Sequence, residues 1–219
     1  MQNRVPPGIK AKSIGICLIV EGHEEESYLN RLKELNVWDK RYEIKVVNAK
    51  SITNVAAAYE DKFKMNCFRL VLVFCDTDRS PYTQYQETKR QISLVHDGEI
   101  STAEKVIIYA NPCSMQIVLS HFDDGVELRT QNKTKNAPKI AELTGVQNYK
   151  GHKYQIDEIC RKIKQQSYYE MQERIASISK PDNETPSTNF ADFLKCLQTS
   201  DCGWIDEINA ALDEASNVE

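Results

Sequence analysis

Six carboxylates in two short stretches hold most of the chemistry available to this chain: Glu21, Glu24, Glu25 and Glu26 in the first, Asp76 and Asp78 in the second. Glu21 directly follows the apolar run Ile14 to Val20, and Asp76 closes a second such run, Arg69 to Cys75. Side chains of an extended chain repeat every second residue, so Asp76 and Asp78 point the same way. Two carboxylates held together repel unless a cation offsets them, and oxygen-rich clusters suit Mg²⁺ or Mn²⁺. A strand-ending glutamate with a strand-ending Asp-x-Asp therefore points to divalent-metal phosphoryl chemistry. The expected metal ligands are Glu21, Asp76 and Asp78, with Glu21 and Glu25 also able to serve catalysis. The plainer readings are a solvated acidic turn after a strand, and first-turn glutamates favouring the positive end of a helix dipole.

The elements that must hold these acids are legible from periodicity. Ile14 to Val20 and Arg69 to Cys75 are short, nearly unbroken apolar runs with β-branched members, which predicts strands buried on both faces and hence a parallel sheet. Gly22 is expected to permit a sharp turn, and Tyr28, Leu29, Leu32 and Leu35 then recur at helical spacing. Tyr42 to Val47 reads as a strand, and Val55, Tyr59 and Phe63 as one face of the next helix. Such β-α-β-α-β alternation predicts right-handed crossovers with helices on both faces. In open sheets of this kind ligands bind beyond the carboxyl ends of the strands, where Glu21 and Asp76 fall.

Further along, Tyr82 to Val95 reads as a helix and Lys105 to Ala110 as a fourth strand. Asn111 and Pro112 are expected to open a helix whose apolar face is Met115, Val118, Leu119 and Phe122. His121 lies on that helix, where packing or hydrogen bonding is the more common role. Asp123 to Gly151 is polar and reads as a mobile basic loop. Tyr154 to Ile178 reads as one long helix, Pro181 to Pro186 breaks it, and Ser187, Thr188 or Asn189 can cap another. That last helix carries Phe190, Phe193, Leu194 and Leu197 as a stripe suited to internal packing or to docking a partner.

At 219 residues, with 27% charged and 41% apolar side chains, the chain has the composition of a globular protein able to bury its own core. Two parts are expected: a core over 1–125 and a basic connector with C-terminal helices over 126–219. The seven cysteines are scattered without a C-x-x-C pair, so neither a disulfide framework nor a zinc ribbon is indicated. Cys17 and Cys75 read as reduced core residues. The start lacks the apolar segment of a signal peptide and no run is long enough to cross a membrane, so a cytoplasmic location without membrane contact is expected. The net charge is −4, yet Arg129 to Lys164 holds nine basic residues against three acids. Such a segment is either a solvated surface or a footprint for phosphates. Lys133, Lys135, Tyr149, Lys150 and Lys153 are the nucleic-acid-binding candidates, and Lys150 is the cation expected to stabilise phosphate charge. No P-loop, zinc-ligand spacing, nucleophile elbow or internal repeat is present.

IVEG followed by Glu25, with a later hydrophobic strand ending in DTD, resembles the TOPRIM domain of topoisomerases, bacterial primases, OLD-family nucleases and small RNA-maturation nucleases. NPCSMQIVLSHF (Asn111 to Phe122), Tyr149 with Lys150, and PSTNFADFL (Pro186 to Leu194) resemble the RloB-like branch, so the resemblance spans nearly the whole chain. It implies a four-stranded, mainly parallel TOPRIM-like sheet flanked by helices, with a C-terminal helical part. It also implies a metal-dependent endonuclease acting on DNA or RNA in bacterial anti-phage defence, under an ATPase or sensor partner; a homo-oligomer is compatible with it. Where that branch has a glutamate inside the NPC segment, this sequence has Ser114, Met115 and Gln116. The alternative is a non-catalytic regulatory or toxin–antitoxin module that binds metal or nucleotide and a protein partner.

Overall fold

The computed structural model describes residues 13–77 and 80–216. The two apolar runs lie side by side at the centre of one sheet, because neither has a polar face to turn to water. β1 (Ile14–Val20) and β3 (Leu70–Asp76) pair in parallel, Leu18 opposite Leu72 and Val20 opposite Phe74. β3 is buried along its length and β1 over its last five residues. β2 (Tyr42–Asn48) adds in parallel beyond β1, and β4 (Ile107–Asn111) in parallel beyond β3. The four expected parallel strands are joined by a fifth. β5 (Ser187–Thr188) runs antiparallel against Ala110 and Asn111, giving the order β2-β1-β3-β4-β5.

Between the strands run α1 (His23–Glu34), α2 (Ile52–Lys64), α3 (Thr83–Ser93) and the short α4 (Ile100–Glu104). The chain moves outward from β1 to β2, then returns past β1 to β3. With right-handed crossovers that reversal puts α1 and α2 on opposite faces. It also opens a crevice at the carboxyl ends of β1 and β3, where strand order switches direction.

The second half departs from the sequence expectations in three places. The segment read as a mobile basic loop contains α6 (Lys133–Thr144), capped by Asn132, which accepts from the Lys135 N–H at 3.1 Å. The single long helix is two, α7 (Lys153–Lys162) and α8 (Gln165–Ala176). Ile163 between them is extended, and its carbonyl accepts from the Arg31 guanidinium at 2.8 and 3.2 Å instead of continuing the helix. Asn111 ends β4 rather than capping a helix, and the next helix, α5 (Met115–Leu119), starts later behind Ser114. Asn111's amide donates to the Asp182 carbonyl at 2.7 Å and its oxygen accepts from Thr185 at 2.8 Å, so it ties the 181–186 strap to the sheet.

The stripe on α9 (Phe190–Gln198) takes the first of the two roles open to it, internal packing. Phe190, Leu194 and Leu197 are fully buried and Phe193 nearly so, so it is core and not a docking face. Phe190 stacks on Phe74 at 5.0 Å and also meets Tyr28 and Phe193. Asn189 does not cap α9 with its side chain; its carboxamide bonds the β4 backbone at Tyr109 N and Ile107 O, at 2.8 and 2.9 Å, and so prolongs the β5 ladder. α10 (Gly203–Ser216) follows it. α7 packs on α1 and α9 on β4, so residues beyond 125 complete both the core and the sheet. None of the seven cysteines is in a disulfide, and Cys17 and Cys75 are fully buried as expected of core thiols. Among the described residues no helix is long and apolar enough to cross a membrane.

Candidate metal centre

The crevice at the carboxyl ends of β1 and β3 is lined by acid. Asp76 is the last residue of β3, and α1 begins two residues after Glu21, so its first turn hangs over the same corner. Glu24, Glu25 and Asp76 are 7%, 3% and 8% exposed, and an oxygen from each lies within 4.8 Å of the others. This set differs from the expected one. Glu21 is half-buried at the rim and accepts from the Asp76 N–H at 3.4 Å. Asp78 lies outside the described residues.

For Glu24 the sequence suggests only a favourable place on the helix dipole, although the helix phase contains the signal that puts it inside. Glu25 stands four and seven residues before the buried Leu29 and Leu32, and Glu24 stands four before the buried Tyr28. Extending the apolar stripe back by one turn brings both acids onto the core-facing side. Gly22 serves the corner differently from expectation. Its backbone is extended, at φ −154°, and needs no glycine for that; its N–H donates to Glu25 Oε2 at 3.0 Å.

A ring of donors fixes the carboxylates. Ser114, fully buried after β4, donates its N–H to Asp76 Oδ1 at 2.7 Å and its hydroxyl to Glu25 Oε1. Glu24 Oε1 accepts from the Tyr149 hydroxyl at 2.5 Å and from Lys133 Nζ at 2.7 Å. Tyr149 is therefore no surface contact for nucleic acid: it is 1% exposed, and its hydroxyl is held by Glu24. Lys133 crosses close over Gly151, which has φ +79° and whose missing Cβ would stand 2.3 Å from the ammonium. Lys150 is exposed and joins the surroundings through its backbone N–H, which donates to Gln155 at 2.9 Å; the cation touching the acids is Lys133. Lys153 pairs with Asp157 at 2.7 Å, and Lys139 and Lys162 with acids nearby. Lys135 is exposed and enters no ion pair among the described residues. His121 is buried, bonded to the Tyr28 hydroxyl at 2.9 Å and to Ser167 at 3.2 Å, the packed role expected of it.

Burial holds the Asp76 carboxyl well above the usual range, and the charges of Glu25, Glu21 and Glu24 add to it, against the Ser114 N–H. Glu25 is raised by burial and by Glu24, against bonds from Ser114 and Gly22. Burial lowers Lys133 but Glu24, Asp76 and Glu25 outweigh it, so the ammonium is held charged. Three converging, dry, mutually repelling carboxylates are a hard oxygen donor set, and they fit a divalent cation such as Mg²⁺.

The shifts fix a pH dependence. Unfolded, Asp76 and Glu25 ionise near 3.8 and 4.5; folded without metal they keep their protons to higher pH. The native state then binds more protons, so this contribution is fully present below the unfolded values and stability is lost as pH rises through the raised ones. His121 acts oppositely. Burial lowers it from 6.5 to about 3, so its contribution is present above 6.5 and lost as pH falls towards the lower value. Magnesium, which needs the acids ionised, should raise the melting temperature more at about pH 8 than at about pH 5. Melting curves with Mg²⁺ and with EDTA check this, and a shift that does not grow with pH would show that no metal couples to these acids.

No protein-family model, curated protein or solved structure matches this chain.

Proposed function

We propose that this chain is a TOPRIM-type, divalent-metal-dependent nuclease of the RloB-like and OLD-type kind, the effector of a bacterial anti-phage system controlled by a partner ATPase. The observation that carries the reading is the convergence of buried Glu24, Glu25 and Asp76 within 4.8 Å at the switch point of a mainly parallel sheet. A Mg²⁺ or Mn²⁺ ion bound there would neutralise the scissile phosphodiester and lower the pKa of attacking water. Asp76, Glu24 and Glu25 are the residues that would hold it. Glu21, half-buried beside the Asp76 backbone, is assigned to proton handling at the rim. Ser114 keeps Asp76 and Glu25 in place, and Lys133 carries positive charge to the edge of the cluster. Where the branch that the sequence resembles has a glutamate in its NPC segment, this chain has Ser114, Met115 and Gln116, and Glu24 would bring the third carboxylate instead.

The Lys133–Glu24 pair favours a second reading, a non-catalytic regulatory or toxin–antitoxin module, because it already offsets part of the cluster's charge. One assay separates the two: purified chain with single- and double-stranded DNA, RNA and tRNA, in Mg²⁺, Mn²⁺ or EDTA, with and without a candidate ATPase partner. Cleavage that EDTA abolishes supports the nuclease. Metal binding without cleavage of any substrate, partner included, would leave the module.

A further inference from the structure

A cleft of about 730 Å³ opens beside the acidic cluster, between the end of β4, the 181–186 strap and the start of α6. Arg129, Lys133 and Lys135 line it, and among the described residues no acid does. Lys133 joins the two regions, since its ammonium rests on Glu24 while its stem lines the cleft. The N-terminal end of α6, the positive end of its dipole, lies on the same anion-favouring side. The opposite wall is rigid: Thr185 bonds Asn111, Asn111 bonds the Asp182 carbonyl, and the Asp182 carboxylate is held by buried Lys89 at 2.8 Å and by Tyr85 at 3.0 Å.

Besides Lys135, two side chains there are available to a ligand. Among the described residues Arg129 pairs only with exposed Glu127 and with the Thr185 carbonyl at 3.4 Å, and an exposed pair of this kind is worth little and is readily exchanged. Gln131 is half-buried in the cleft, and its carboxamide has no hydrogen bond among the described residues. A carboxamide offers a donor and an acceptor, the combination that reads the edge of a base. The volume is that of a small-molecule pocket, enough for a nucleotide or so and too small for a duplex. A base edge is open to such a side chain only where the strand is unpaired.

We propose that this cleft seats an unpaired nucleotide next to the scissile phosphodiester, with Arg129 and Lys135 holding its phosphates and Gln131 reading its base. The assignment rests on the nuclease reading but is tested without cleavage. Fluorescence anisotropy in EDTA, with labelled single-stranded RNA, single-stranded DNA and a duplex of the same sequence, gives the affinities. Single strands should bind tighter than the duplex. Replacing Arg129 and Lys135 together by alanine should weaken binding about 10-fold or more at low salt and flatten the slope of log K against log salt by about 0.7 for each phosphate left without its cation. Gln131→Ala should keep that slope and change the ranking among homopolymers by about 2- to 10-fold. Preference for the duplex, or an unchanged affinity in the double variant with its circular dichroism intact, would overturn the assignment. Binding that follows the expected pattern, with no cleavage after Mg²⁺ replaces EDTA even when an ATPase partner is present, would sink the nuclease reading and leave the cleft supported as a seat for a single strand.

Discussion

Asp76→Asn should lower metal-dependent cleavage by more than about 100-fold while leaving the fold intact. Losing even a hydrogen-bond partner of a metal ligand costs about 10- to 100-fold, and Asp76 is proposed as a ligand itself, at the centre of the cluster. Asparagine keeps the oxygen that accepts from the Ser114 N–H and removes one of the charges repelling Glu25 and Glu24. Without metal, at neutral pH and above, the variant should therefore melt no lower than the parent, since burial and the neighbouring acids raise the Asp76 carboxyl and its ionisation opposes folding as pH rises. With metal the order reverses: Mg²⁺ should raise the parent's melting temperature and barely move that of the variant. Cleavage rates with and without EDTA, beside melting curves of both proteins, test the two halves separately. Retention of both cleavage and the magnesium-induced shift would show that the ion sits elsewhere.

The first half of this molecule can be read from its sequence because burial there follows apolar composition. β1, β3, α1 and α2 are encoded by runs or stripes that have one low-energy disposition, and their order dictates a parallel sheet with its crevice between β1 and β3. The second half hides its pattern. On α6 the buried positions Asn136, Ile140 and Thr144 follow at four-residue spacing, yet two of the three are polar, and Pro138 inside the helix suggests a loop. The break between α7 and α8 is written only as a five-residue step from Ile163 to Tyr168, both buried, where a continuous helix needs three or four. β5 has two residues and exists because β4 offers an edge for Ser187 and Thr188 to complete, which no local pattern reveals.

At the candidate metal centre the sequence points to the corner where the buried acids converge, but of the acids it singles out as ligands only Asp76 belongs to the buried set. Glutamates in a first helical turn are common for electrostatic reasons alone, so composition does not distinguish the buried Glu24 and Glu25 from Glu26, which bonds Asn48 at 2.8 Å on the outer side. Tyr149 and Lys133 belong to segments distant in sequence from Glu24, and only the packing of α7 on α1 and the capped start of α6 bring them to it.

Phe190→Ala should destabilise the chain by about 3–5 kcal/mol, the cost of removing a buried aromatic whose surroundings relax only partly. The residue is 0% exposed and lies 5.0 Å, centroid to centroid, from Phe74, with Tyr28 on its other side. Phe74 precedes Asp76 by two residues on β3, and Tyr28 follows Glu24 by four on α1, so Phe190 backs both elements that carry the acids. The cavity should loosen the carboxylate geometry before the domain unfolds, and cleavage should fall at temperatures where circular dichroism is still native. Urea unfolding measures the stability loss, with Tyr169→Ala, 57% exposed, as a control expected to stay within about 0.5 kcal/mol of the parent. If Phe190→Ala instead unfolds at the parent's urea midpoint and loses only the binding of a partner protein, α9 would be a docking face after all, and the packing described for it would be wrong.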